Sequence, residues 1–217
     1  MIRIVLGARR WLRVLLCCLS SVLIVAIVGL VLAIRVHGFL AIQAPLDSRM
    51  IVVSGTLPDS ALEKIVADVG ANKIAKILTV GGPISRGSHL SSYRDYANLA
   101  ADTLRQLGIP TSVIVAIPSP ISERDRVFAT AHALGAWLKN SETEIAAINV
   151  YALGVRSRRT LILYREALGP DIDIGIVSIP SEDYDPSAWW ATSEGFRTVV
   201  SELIAYLYVK TLFQLTA

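Results

Sequence analysis

The sequence is poor in the residues that form disulfides and metal sites. Its only two cysteines, Cys17 and Cys18, lie inside an apolar run near the N-terminus, so the rest of the chain can form no disulfide. Its three histidines, His37, His89 and His132, are far apart in the sequence. Because metal sites need several ligands at short, regular spacings, the sequence predicts no metal site.

Acidic residues are missing from the N-terminal part of the chain, where none precedes Asp47. Five of the 21 lysines and arginines lie in that part, which leaves 16 basic residues against 18 acidic ones from position 36 onward, about −2 in net charge. The five are Arg3, Arg9, Arg10, Arg13 and Arg35. Because nucleic-acid binding requires a basic surface on the folded domain, we expect no nucleic-acid partner.

Charge is absent from residues 14–34, a run that meets the requirement of about 20 apolar residues for a membrane-spanning helix. The run is longer than the apolar region of a cleavable signal, which favours an uncleaved signal anchor, with cleavage near 41–44 as the alternative. Four arginines precede the run and Arg35 alone closely follows it. The positive-inside rule therefore predicts a single-pass protein of the inner (cytoplasmic) membrane, with residues 1–13 in the cytoplasm and the C-terminal domain outside.

After a short linker over 35–49, residues 50–217 have the length of one domain. Strand and helix patterns alternate, and the strands are continuously apolar, which indicates a parallel sheet that is buried on both faces. With right-handed crossovers, the prediction is a three-layer, doubly wound (Rossmann-like) α/β fold of about five strands. Strands are predicted at 50–54, 74–80, 112–117, 145–151 and 172–179, and helices at 59–69, 93–107 with Ser92 as the cap, 126–139, 156–168 and 193–213.

The apolar strand positions predict a core in adjacent parallel strands. The residues expected to be buried there are Val52, Val53, Ile77, Leu78, Val80, Val113, Val115, Ile148, Val150, Ile174 and Ile176. Ligands of such folds bind beyond the carboxyl ends of the strands, so the loops at 54–59, 81–92, 118–125 and 152–158 are expected to carry any site.

The second of these loops contains Gly81, Gly82, Arg86 and His89. Glycines after a strand let backbone amides approach a phosphate or carboxylate, and a histidine can act as an acid or base. The spacing is neither GxGxxG nor that of a Walker loop, so a plain turn with a solvated histidine is the alternative.

Charged residues mark the starts of the next two predicted helices. Asp125 and Arg126 begin one, and Arg156, Arg158 and Arg159 begin the other. Cations at a helix N-terminus oppose the helix dipole, and a bound anion would offset that cost. A salt bridge from Asp125 or Glu123 would offset it equally well, so both interpretations stay open.

Paired tryptophans, Trp189 and Trp190, precede the last predicted helix. They can pack a returning segment against the sheet, form an aromatic wall for a ligand, or contact a membrane interface.

Several segments, taken in order, resemble the YdcF-like family, which includes SanA and ElyC and is catalogued as a domain of unknown function. They read Ile-Val-Val-Ser-Gly at 51–55, Ile-Leu-Thr-Val-Gly-Gly at 77–82, Gln-Leu-Gly-Ile-Pro at 106–110, Asp-Arg-Val-Phe-Ala-Thr-Ala at 125–131 and Gly-Val-Arg-Ser-Arg-Arg at 154–159. The C-terminal tryptophan pair also fits members of the family. The resemblance covers residues 50–210.

The resemblance implies a Rossmann-like fold, an N-terminal membrane segment and a role at the cell envelope. It also implies one pocket for Gly55, Gly81, Gly82, Asp125, Arg126, Arg156 and Arg159. The chain departs from the family at several motif positions, and its segment at 125–131 lacks the family's asparagine and glutamate. Arg156 stands where the family has histidine, Ala152 where it has threonine or serine, and Thr56 where it has a further glycine. These departures leave open whether the protein is an enzyme, and no catalytic residue or cofactor is assigned.

Two functions follow as hypotheses. The first is a membrane-anchored envelope protein that binds an anionic or nucleotide-like ligand at the carboxyl edge of the sheet and acts in envelope biogenesis or barrier maintenance. The second is a non-catalytic envelope scaffold. An S-adenosylmethionine-binding enzyme is a weaker alternative, because it depends on fold analogy alone.

The arginine asymmetry gives a first prediction. A reporter enzyme that is active only outside the cytoplasm should be active in intact cells when fused after Ala217, because the positively charged flank keeps residues 1–13 inside. The same reporter fused after Arg13 is the control and should be inactive. Activity of a cytoplasm-only reporter fused after Ala217 would contradict the predicted orientation.

Overall fold

The computed structural model describes residues 2–71, 74–85, 87–122, 125–141 and 145–213. The chain divides into two compact units, Met1–His37 and Gly38–Ala217. Helix α1 runs from Ile2 to Leu40, so the first unit consists of most of this helix, and the last three residues of the helix belong to the second unit. Within α1, Cys18–Leu40 is 23 residues of apolar helix, long enough to cross a membrane. The apolar helix therefore extends beyond the predicted span of 14–34.

Five strands form one sheet in the order β3-β2-β1-β4-β5, and every neighbouring pair is parallel. The strands are β1 (Met50–Ser54), β2 (Lys76–Gly81), β3 (Ile114–Pro118), β4 (Ala147–Leu153) and β5 (Asp173–Ile179). Val52 of β1 lies beside Leu78 of β2 and Val150 of β4. The chain order reverses between β1 and β4, which is the switch point at which doubly wound folds bind ligands. The predicted α/β fold is confirmed.

Helices cover both faces of the sheet. They are α2 (Asp59–Ala71), α3 (Tyr96–Gln106), α4 (Arg126–Lys139), α5 (Ser157–Leu168) and α6 (Ser193–Tyr208), which continues as a π-helical turn, Val209–Phe213. Ile65 of α2 and Leu104 of α3 pack in one core, whereas Leu134 of α4 and Tyr164 of α5 pack in the other. The end of α6 packs on α5 through Val209 and Phe213, which surround Leu163.

The predicted core is buried except at Val113 and Val115, which are partly exposed. Val113 lies in a 3-10 turn, Thr111–Val113, because β3 begins only at Ile114. Val115 belongs to β3, which is an edge strand with a neighbour on one side only.

Two helices begin later than predicted. Asp95, not Ser92, caps α3, and its Oδ1 accepts the Asn98 N–H at 2.8 Å. The preceding residues cannot join the helix because they pair with the start of the same loop, where the Tyr96 N–H donates to the Gly82 carbonyl at 2.9 Å. Helix α5 begins at Ser157, after a 3-10 turn over Gly154–Arg156.

Residues 38–49, which we call the edge segment, pack along the outer side of β5. Ala44 forms an antiparallel bridge to Ile176, with N–O distances of 2.9 and 3.0 Å. The buried Asn149 side chain holds the backbone of Leu46 at two points, since its Oδ1 accepts the Leu46 N–H and its Nδ2 donates to the Leu46 carbonyl, both at 2.8 Å. The edge segment thus covers an otherwise open sheet edge.

Loss of the Asn149 amide should weaken the fold. Asn149→Ala removes both hydrogen bonds to Leu46 and leaves backbone groups without their partner, which should lower the free energy of unfolding by about 1–3 kcal/mol. Urea unfolding of the full chain in detergent measures this change. Asn140→Ala, at an exposed helix end, is the matched control and should stay within about 0.5 kcal/mol of the wild type. Equal midpoints for the two variants would show that the contact contributes nothing.

Candidate functional site

Two of the glycines predicted to approach a ligand instead approach helix α3. A Cβ on Gly55 would lie 2.2 Å from the Tyr96 carbonyl oxygen, and one on Gly81 would lie 2.8 Å from the Ala97 nitrogen. Only glycine lets the first turn of α3 lie so close to the ends of β1 and β2. The space that these glycines leave open is therefore occupied by the protein's own backbone.

The rest of that loop extends away from the sheet. A Cβ on Gly82 would lie 3.4 Å from the Ser119 Oγ, so the turn after β2 lies against the turn after β3. His89 is exposed, and its neighbour Leu90 is 95% exposed. Arg86 lies outside the described residues.

A network of three charged side chains joins helices α4, α5 and α6. Arg159 donates through Nε to Glu202 Oε1 at 2.6 Å and through Nη2 to Glu202 Oε2 at 3.2 Å. Its Nη1 donates to Asp125 Oδ2 at 3.3 Å. The other oxygen of Asp125 caps α4 and accepts the N–H groups of Val127 and Phe128 at 2.8 and 3.0 Å. The three charged side chains are only 8–14% exposed.

The network holds Arg159 in its charged form. Burial alone would lower the pKa of its guanidinium, but the hydrogen bond and charge of Glu202, together with the charge of Asp125, raise that pKa above its ordinary value. Arg159 and Asp125 thus form an ion pair, which is one of the two interpretations that the sequence left open. The other acid suggested as a partner, Glu123, lies outside the described residues. Glu202 was not predicted, although it lies on the helix face that also buries Val199 and Val209. A lone carboxylate on a buried face is a signal for such a partner.

Arg156 is placed differently, because it is exposed at the carboxyl end of β4. Tyr184 lies near it. Burial raises the pKa of the Tyr184 hydroxyl, the Arg156 charge lowers it, and Asp183 raises it, so the net change is upward. The phenol therefore stays protonated at neutral pH and can donate a hydrogen bond.

Gly154 shapes the turn that carries Arg156. Its φ of +47° lies in the left-handed region, which favours glycine. Its carbonyl accepts the hydroxyls of Ser157 at 2.6 Å and Ser178 at 3.1 Å. A Cβ at this position would lie 3.8 Å from both the Tyr184 hydroxyl and the Ser181 nitrogen.

The start of α5 differs from three other helix starts. Asp95 caps α3, Asp125 caps α4 and Thr192 caps α6, each through a side-chain oxygen. Arg156 is the N-cap of α5 and makes no side-chain capping bond. The positive end of the α5 dipole and the guanidinium of Arg156 therefore reinforce one another at the switch point, an arrangement that attracts an anion. Arg126, the first residue of α4, is also exposed.

Two cavities lie at the opposite, amino edge of the sheet. The first, of 490 Å³, lies between the C-terminal ends of α4 and α5, and its lining includes His132, Lys139 and Asp171. The second is lined by residues that include Arg165 and Asp173. Within the described part of the chain, no three His, Cys, Asp or Glu side chains gather as a metal site would require.

Comparison with known proteins gives no family assignment, because no protein-family model and no curated protein matches the chain.

A double-mutant cycle should reveal the coupling in the charge network. Arg159→Met and Glu202→Met should each cost about 3–5 kcal/mol of unfolding free energy, because each leaves an opposing charge buried. The double variant should cost less than the sum of the two, by at least about 1 kcal/mol. Arg197→Met, which breaks an exposed pair on the same helix, is the control and should leave thermal unfolding unchanged. Strictly additive losses would mean that the pair is not coupled.

Proposed function

We propose that the protein is anchored in the inner membrane by α1, carries its α/β domain on the outer face, and binds an anionic or nucleotide-like ligand at the carboxyl edge of the sheet. The observation that carries this proposal is the exposure and position of Arg156. It is exposed at the uncapped start of α5, beside the switch point, whereas Arg159 is neutralised by Asp125 and Glu202.

The chemistry of the Arg156 turn favours a phosphate or carboxylate. A guanidinium offers parallel N–H donors that match either group, and the α5 dipole adds positive potential at the same place. The phenol of Tyr184, near Arg156, is neutral at physiological pH and adds no negative charge that would repel an anion. Binding an anion there would offset the repulsion between Arg156 and the helix dipole.

A role in envelope biogenesis or barrier maintenance is part of the proposal. Its support is the resemblance of residues 50–210 to the YdcF-like family, together with the arginine asymmetry around the apolar helix. The proposal includes no catalytic step, because Arg156, Ala152 and Thr56 replace residues that the family uses.

A non-catalytic envelope scaffold is the second candidate, and two observations favour it. Asp125 and Arg159 satisfy one another, and the first turn of α3 fills the space beside Gly55 and Gly81. On this interpretation the fold presents a surface and binds no small ligand at the carboxyl edge.

Thermal unfolding of the full chain in detergent tests the binding proposal, with inorganic phosphate and a nucleoside monophosphate as probes. A ligand present at 100 times its Kd should stabilise the protein by about 2.7 kcal/mol. Arg156→Ala should abolish this stabilisation and barely change the melting temperature without probe, since an exposed charge contributes little to folding. Arg165→Ala, at the exposed far end of the same helix, is the matched control and should keep the stabilisation.

Two results would decide against binding at Arg156. Stabilisation that survives Arg156→Ala, together with a large loss of stability, would make Arg156 a structural residue. A wild-type protein that neither probe stabilises would support the scaffold function.

A further inference from the structure

The C-terminal helix α6 presents apolar side chains outward and a charge inward. Phe196 is 54% exposed, Ile204 62% and Leu207 50%. Their spacing of about three and four residues, with Val200 between them, places them along one stripe. The opposite face buries Glu202 against Arg159. A helix that faces water on one side normally buries its apolar face and exposes its polar face. The exposed apolar stripe of α6 therefore indicates an apolar neighbour outside the domain.

The surroundings of this stripe suit a lipid surface. Trp190 and Tyr208, two residue types that concentrate at membrane interfaces, are 47% and 39% exposed beside it. Lys210 is exposed near the end of the helix. Both carboxylates of Ser193–Phe213, a segment that the structure describes in full, are paired, Glu194 with Arg197 and Glu202 with Arg159. An anionic headgroup layer would therefore meet no unpaired acid along α6.

The chain itself holds α6 close to the end of the apolar helix. The ring of Phe39 packs edge-on against Tyr206 of α6, with 5.3 Å between the ring centroids. The guanidinium of Arg158 lies 4.1 Å above the Phe39 ring, and Leu40 is fully buried in the domain. Phe39 is the penultimate residue of the apolar helix Cys18–Leu40.

Chain length then limits how far α6 can be from the bilayer. Five peptide steps join Ile34, the last residue of the uncharged run, to Phe39, and even a fully extended chain covers only about 18 Å over that length. The packing of Tyr206 on Phe39 extends the same limit to the last turn of α6.

We propose that the outward face of α6, formed by Phe196, Val200, Ile204 and Leu207, lies on the lipid surface of the membrane that holds the anchor. The inference rests on the proposal that the uncharged run of α1, residues 14–34, spans that membrane. An interfacial helix places its apolar face at the boundary between headgroups and acyl chains and keeps its other side on the protein or in water. A second copy of the chain could also cover the stripe. A dimer, however, would give no reason for α6 to pack against Phe39 at the end of the anchor.

Spin-label accessibility in nanodiscs of phosphatidylcholine and phosphatidylglycerol tests the inference on the full chain. In a Cys17→Ser, Cys18→Ser background, single labels are placed by Ile204→Cys and by Leu207→Cys. Leu30→Cys, within the anchor, is the apolar reference. Glu63→Cys, an exposed position on α2, is the aqueous reference. Collision rates with oxygen and with a water-soluble nickel complex are measured at each site.

The expected result is an oxygen-to-nickel ratio at 204 and 207 several-fold above that at 63 and close to that at 30. Ratios at 204 and 207 that match position 63, with position 30 still apolar, would overturn the inference and leave the anchor intact. An aqueous ratio at position 30 would overturn both proposals. Spin–spin broadening at 204 that disappears on dilution with unlabelled protein would assign the stripe to a second copy, and this outcome also overturns the inference.

Discussion

The charge network around Arg159 is the interaction on which the arrangement of helices α4, α5 and α6 depends. One guanidinium bonds Glu202 of α6 and the Asp125 carboxylate that caps α4, and α5 carries it between them. Three separate helices are thereby fixed relative to one another at the carboxyl edge of the sheet. Because each of these charges is largely removed from water, the loss of any partner should strongly lower the free energy of unfolding. The neighbouring Arg156 takes no part in this network and is exposed at the same edge, as Arg126 is.

The glycines of the first two loops obey a different constraint, which is steric. In dinucleotide-binding folds such glycines make room for a phosphate, whereas here Gly55 and Gly81 make room for the backbone of α3. The helix occupies the ends of β1 and β2, and the accessible part of the edge shifts toward β4. In proteins that share a fold, a few close contacts decide which part of the sheet edge is open to a ligand. For this reason the fold alone does not assign a function.

The parts of the fold that could be predicted are those decided by local chemistry. Strand β1 ends at Ser54, before Gly55, and helix α4 begins after Asp125, and both elements have the bounds that the sequence predicts. The start of α3 could not be predicted, because Tyr96 bonds to Gly82 across a loop whose closure depends on tertiary pairing. Strand order has no local signature either, since parallel neighbours are joined through distant crossovers.

The candidate site shows the same division. That Asp125 and Arg159 share an edge follows from the alternation of strands and helices, and the structure pairs them at 3.3 Å. The second carboxylate bonded to Arg159 belongs to Glu202, which is 43 residues away in the chain. Helix periodicity places Glu202 on a buried face but cannot name its partner.

The edge segment also determines what the domain can reach. If residues 38–49 were a free tether, a flexible chain of that length would span about 20 Å on average and let the domain sample a shell of solution above the lipid. Instead, Ala44 is paired with the sheet, Leu46 is held by Asn149, and Leu40 is buried. Residues 38–49 are therefore part of the folded domain and do not form a flexible tether. If α1 spans a membrane, as proposed, these residues add no flexible linker between anchor and domain. The ligands expected on that proposal are molecules that come to the membrane or already belong to it.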